Sequence, residues 1–108
     1  MNCLYGDIPT EQFDKYREKL HNKIFWLLIY KDPKTKQKYT HEDFDRYFKT
    51  LMNEINGMNT IIGTSPYILE MMSLLQAAYD QTTYDHFDYN EYRKFVLDAH
   101  SVLDKVEV

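Results

Sequence analysis

The seven residues Ile24-Phe25-Trp26-Leu27-Leu28-Ile29-Tyr30 are apolar without a break and include the sole tryptophan of the chain. Whatever the chain folds into must cover them. They close a segment in which Phe13, Tyr16, Leu20, Ile24, Leu27 and Leu28 recur at the spacing of one helical face. A single stripe uses only Ile24, Leu27 and Leu28 of the run. Phe25, Trp26 and Ile29 project elsewhere, so this end of the helix is apolar nearly all round, as in a helix placed centrally in a bundle. Seven residues fall far short of the roughly 20 that a membrane span needs.

Local stop and start signals divide the chain into four helices. The first runs from Thr10 to about Lys31, where Asp32-Pro33 ends it, because a residue before proline avoids helical angles. The second opens on Thr40 as N-cap with Asp43 at N3, and Tyr39 and Phe44 are placed to form a hydrophobic staple. Its apolar positions Phe44, Tyr47, Phe48, Leu51, Met52 and Ile55 keep helical phase. Asn56-Gly57 and Gly63 both offer C-caps, so its end falls between 56 and 62. Ser65-Pro66 opens the third helix, which runs to about Asp80. Asp88, with Glu91 at N3 and a Phe87/Tyr92 staple, opens the fourth, whose apolar face runs from Tyr92 to Val106. No segment sustains a period of two. The fold class read here is all-α: a four-helix bundle-like single domain over residues 1–108, built from two helix-loop-helix units in up-down-up-down order.

At 108 residues the chain is one domain, and 44% hydrophobic with 16% aromatic content argues against disorder. The single Cys3 excludes an internal disulfide and fits a reducing compartment. Met1–Asp7 lacks a basic stretch followed by an apolar core, so no signal peptide is read, and a soluble, cytoplasmic protein is expected. The net charge of −4 argues against nucleic acid as a partner, since such binding rests on neutralising phosphates. The charge is also uneven. Residues 31–38 carry four lysines and one aspartate, a local +3, whereas Asp80, Asp85, Asp88 and Glu91 give residues 80–91 a local −4. In an up-down-up-down bundle these two connections share one end and attract.

The stretches 32–44 and 80–92 also repeat one another. Each starts on an aspartate (Asp32, Asp80), then has an aromatic (Tyr39, Phe87), a cap (Thr40, Asp88), an acid at position twelve (Asp43, Glu91) and a further aromatic (Phe44, Tyr92). The stretch Phe87-Asp88-Tyr89-Asn90-Glu91-Tyr92 resembles the outgoing half of an EF-hand loop. The resemblance implies a second architecture, a degenerate EF-hand-like pair that grips a target helix, with Tyr39 and Phe87 in a short two-strand ladder. The family's loop takes Asp or Asn at positions three and five and Gly at six. Here Lys34, Lys36 and Gln37 stand in the first loop, and Thr82, Tyr84 and Asp85 in the second, so the pair implied is metal-free.

Catalytic chemistry leaves no signature. His41-Glu42-Asp43-Phe44-Asp45 lacks the second histidine of the zinc-helix motif, and Gly63-Thr64-Ser65 lacks the lysine of a phosphate loop. His21, His41, His86 and His100 are scattered, and a metal site needs three or four converging ligands. No catalytic residue, cofactor or metal is assigned. A helix-turn-helix built on the second and third helices is rejected, because the third helix has no lysine or arginine to meet DNA.

What remains is contact chemistry. The third helix has more apolar residues than one stripe uses. Ile68, Met72 and Leu75 are assigned to the core, and Tyr67, Met71, Leu74 and Ala78 to a second side. That side, helped by Phe25 or Trp26, would form a homodimer or partner surface. The segment after it alternates Tyr84, Phe87 and Tyr89 with acids such as Asp85, a pattern suited to a basic partner. The function expected is therefore that of a non-enzymatic small acidic protein acting by protein contact: an inhibitor, immunity-type or accessory factor. The alternatives are the EF-hand-like module, or a small enzyme or nucleic-acid factor with an unrecognised site.

Overall fold

Four helices account for most of the chain: α1 (Thr10–Lys31), α2 (His41–Ile61), α3 (Pro66–Gln81) and α4 (Tyr89–Val102), followed by one 3-10 turn (Leu103–Lys105). This computed structural model describes residues 2–3, 6–7, 10–34, 39–61 and 65–106. At the N-terminus two short strands, β1 (Asn2–Cys3) and β2 (Gly6–Asp7), pair antiparallel with Asn2 opposite Asp7. The sequence shows no alternation there, and two-residue strands are too short to display any.

The helix starts are made locally. Thr40 and Asp43 form a reciprocal capping box: Asp43 N donates to Thr40 Oγ1 at 3.0 Å, and Thr40 N to Asp43 Oδ2 at 3.2 Å. Ser65 Oγ accepts from Tyr67 N at 3.2 Å, with Pro66 at the first helical position. Asn59, buried on α2, takes Ser65 N on its side-chain oxygen at 2.7 Å and so ties the end of α2 to the start of α3. Asp88 Oδ1 accepts from Asn90 N and Glu91 N at 2.9 and 3.4 Å. Of the two C-caps offered to α2, Gly57 is passed over, and the helix continues to Ile61.

Each helix runs antiparallel to the next. Tyr47 OH donates to Lys23 O and the Tyr30 ring packs at a tilt against Tyr39, 4.5 Å between centroids, which reverses α2 on α1. The rings of Phe48 and Tyr79 stack at 4.7 Å, which reverses α3 on α2. α4 closes the ring against α1: the hydroxyls of Tyr92 and Tyr89 reach the Leu27 and Leu28 carbonyls, while His21 meets His100 seven residues earlier on α1. α3 and α4 approach most closely, a seam in keeping with the small buried residues Ala78 and Ala99. The result is an all-α, up-down-up-down four-helix bundle of 45 × 24 × 21 Å.

In this ring every helix has two neighbours and one outward side. α1 is therefore not central. Ile24, Leu27 and Leu28 are buried as expected, but Phe25 and Trp26 remain 50% and 45% exposed. Two neighbouring helices cannot wrap a helix that is apolar all round.

The EF-hand-like ladder is not formed. Tyr39 and Phe87 lie outside any strand, and the one strand pairing among the described residues is the N-terminal one. The ends of both helix-loop-helix units do lie together, as Tyr89 on Leu28 and Phe44 on Tyr92 require. Most of the lysine loop, residues 35–38, falls outside the described residues, and the expected attraction between loops falls there with it.

Candidate partner-contact surface

The α3–α4 turn is wound down from α3 by its own threonines. Thr82 Oγ1 donates to Tyr79 O at 2.6 Å and Thr83 Oγ1 to Asp80 O at 2.7 Å, while their amides bond the same two carbonyls. At the far end Asp88 caps α4, and the Phe87 ring packs 5.7 Å from Tyr92 in the staple the sequence implies. Both ends of the turn are thus held by short-range bonds. Between them Tyr84, Asp85, His86 and Phe87 are all exposed, Tyr84 by 59% and Phe87 by 39%.

Beneath the turn lies an aromatic floor. Phe44, 1% exposed, is its hub, with Tyr79 stacked at 5.8 Å and Tyr92 edge-on at 6.2 Å. Lys31 Nζ sits 4.4 Å over the Phe44 ring, and burial holds its amine below the usual lysine value. Tyr92 is fully buried, donates to Leu27 O at 2.5 Å, and has its phenol pushed far up by burial. Tyr89 is half-buried and donates to Leu28 O at 3.2 Å, a carbonyl in the last turn of α1, where intrahelical donors run out. Its phenol is raised by burial and then by the charge of Asp32.

The eight residues singled out in the sequence therefore separate. Tyr84, Asp85 and Phe87 come together on the exposed turn, and Tyr89 opens α4 just beyond it, held against α1 by its bond to Leu28 O. On α3 the assignment of sides is corrected. The core stripe is Ile68, Met71, Leu75 and Ala78, so Met71 and Ala78 are 0% and 1% exposed and cannot meet a partner. Met72, assigned to the core, is half-buried beside it. The reason is the position of α4, whose close approach takes the flank of α3 on which Met71 and Ala78 lie. Tyr67 stays at the surface, 40% exposed. Leu74 is half-buried and lines a shallow groove of about 280 Å³ with Glu70, Asp98, Ser101, Val102 and Lys105. Phe25 and Trp26 are on α1, diagonal to α3 in the ring, and so do not extend its surface.

Two features went unread in the sequence. Leu69 is 49% exposed on α3, and a larger groove of about 410 Å³ opens between α2 and α3. Neither has a local signal, since both depend on how far apart two helices stand.

Among the described residues no helix is long and apolar enough to cross a membrane, and no three His, Cys, Asp or Glu side chains converge on a metal position. No protein-family model, curated protein or solved structure matches the chain.

Proposed function

We propose that this is a non-enzymatic cytoplasmic protein that acts by protein contact, as an inhibitor, immunity-type or accessory factor, and that its α3–α4 turn docks a basic segment of the partner. One observation carries the reading: Tyr84 and Phe87 are exposed on either side of Asp85, on a turn pinned at both ends. Rigid aromatic side chains supply contact area at low entropic cost, and a surrounding field of one sign speeds encounter with the opposite sign. Asp88 is engaged as a cap and Asp80 accepts from Gln76 at 3.0 Å, whereas Asp85 makes no such bond among the described residues.

The test is an amide-shift titration with a lysine- and arginine-rich peptide pool and an acidic pool of matched length. The basic pool should move the amides of Gln81–Tyr89 first, and Asp85→Lys should slow association about tenfold at low salt with the melting temperature unchanged. Equal response to both pools, or an Asp85→Lys variant that binds as fast as wild type, defeats the proposal.

A further inference from the structure

The outward face shared by α2 and α3 is sparsely charged in a chain that is 28% charged, with Asp80 at one end, in register with Leu69, Ser73 and Gln76, as its exposed acid. After Lys49 the only charged residue of α2 is Glu54, and before Asp80 the only one of α3 is Glu70. Both turn away from the face. Glu54 is drawn towards α1 by Lys23, 2.8 Å from its carboxylate, and Glu70 lines the groove on the α4 side. Exposed on the face are Asn53, Asn56 and Thr60 from α2, with Leu69, Ser73 and Gln76 from α3. The 410 Å³ groove opens at one end of it, lined by Phe48, Met52 and Tyr79 with Lys49, Asn53 and Gln76. Lys49 is neutralised by Asp45 at 2.9 Å, and Asp45 also accepts the Tyr79 hydroxyl.

We propose that two copies of this chain associate through this face about a two-fold axis, Leu69 of each entering the α2–α3 groove of the other. The choice of a second copy follows from charge and symmetry. Copies with a net charge of −4 repel over most orientations, and a sparsely charged face is where that repulsion is least. A highly charged partner would find little there to pair with beyond Asp80 at one end and the Lys49–Asp45 pair at the groove. A two-fold interface must also be self-complementary, with knob and hole on one surface. Leu69 and Gln76 lie seven residues apart on α3, about 10 Å, and a two-fold axis midway exchanges them. Leu69 then arrives at the Gln76 wall of the groove. Ser73, small and exposed, sits at the crossing point and lets the two α3 helices approach. The face is roughly 24 by 20 Å, about 500 Å² per copy, which is below the about 800 Å² of a standard interface. An interface of that size suits a weak dimer that fills as concentration rises. The proposal does not depend on what the α3–α4 turn binds.

Sedimentation equilibrium on the whole chain, carried into the high-micromolar range, tests it. The weight-average mass should climb towards twice the monomer value. Leu69→Glu, at a half-exposed site, should keep the helix signal and raise the dissociation constant about a hundredfold, because symmetry places the change in the interface twice. Ser73→Arg gives the same readout at a fully exposed position should Leu69→Glu lose helix signal. In a Cys3→Ser background, Ser73→Cys should cross-link under mild oxidation, whereas Lys94→Cys on the outside of α4 should not. Wild type that stays monomeric throughout, a Leu69→Glu variant of native helicity that associates like wild type, or equal cross-linking at positions 73 and 94 overturns the proposal.

Discussion

The imidazole rings of His21 and His100 stack with centroids 4.1 Å apart and planes 24° from parallel. His21 Nε2 lies 3.1 Å from the carbonyl oxygen of His100 and 3.2 Å from Asp104 Oδ1. One turn earlier on α1, Arg17 donates to Val106 O at 2.5 Å. These contacts fasten the C-terminal segment, with buried Leu103 and Val106, along α1.

That seam should loosen in acid. The value for His100 is lowered from 6.5, first by burial and then by the neighbouring His21, with Asp104 pulling the other way. A base whose folded value is depressed favours the unfolded chain once that chain starts to take up the proton. Its stabilising effect is complete above pH 6.5 and is lost as pH falls from there towards the folded value. Denaturant midpoints should therefore fall between pH 7.5 and 5.5 in wild type and fall less in His100→Gln. Identical slopes in the two proteins would assign the pH dependence elsewhere.

Tyr92 separates a hydrogen bond from a packing effect. Tyr92→Phe removes the bond to Leu27 O and keeps the ring, so it should cost about 1 kcal/mol of unfolding free energy. Tyr92→Ala also empties the floor beside Phe44 and should cost about 3–5 kcal/mol. Urea unfolding of both variants reads the difference, and equal losses would show the hydroxyl to be the dominant contribution.

Gly57 should be replaceable with gain. It lies inside α2 and is exposed, and a Cβ built there meets nothing within 4 Å. Gly57→Ala should stabilise by about 0.5–1 kcal/mol, since alanine loses less backbone entropy on entering a helix. A lower thermal midpoint would mean that this part of α2 needs the freedom of glycine.

The two sides of α3 should respond differently to truncation. Met71→Ala opens a cavity in the core and should cost about 2–5 kcal/mol, while Tyr67→Ala should change stability by about 0.5 kcal/mol or less. Comparable losses at both sites would contradict the core stripe assigned to α3.

The sequence by itself determined what depends on near neighbours along the chain. The Thr40–Asp43 box, the Ser65-Pro66 start and the Asp88 cap are bonds within four residues, and each stands where its residue types place it. α4 shows one stripe, and its buried residues Tyr92, Val96, Ala99 and Val102 follow from that stripe alone. The exposed turn Tyr84–Phe87 was legible for the same reason, since it is bounded by signals on both sides. Where a helix is apolar on several sides, the stripe that becomes core is chosen by the helices beside it. α4 closed over Met71 and Ala78, and the ring arrangement left Phe25 and Trp26 outside although the apolar run implies cover for them. The His21–His100 stack joins residues 79 positions apart, and the α2–α3 groove is a gap between helices. Neither has any local signature, because hydrophobic burial is proportional to area covered and indifferent to which neighbour covers it. Only the packed bundle decides that.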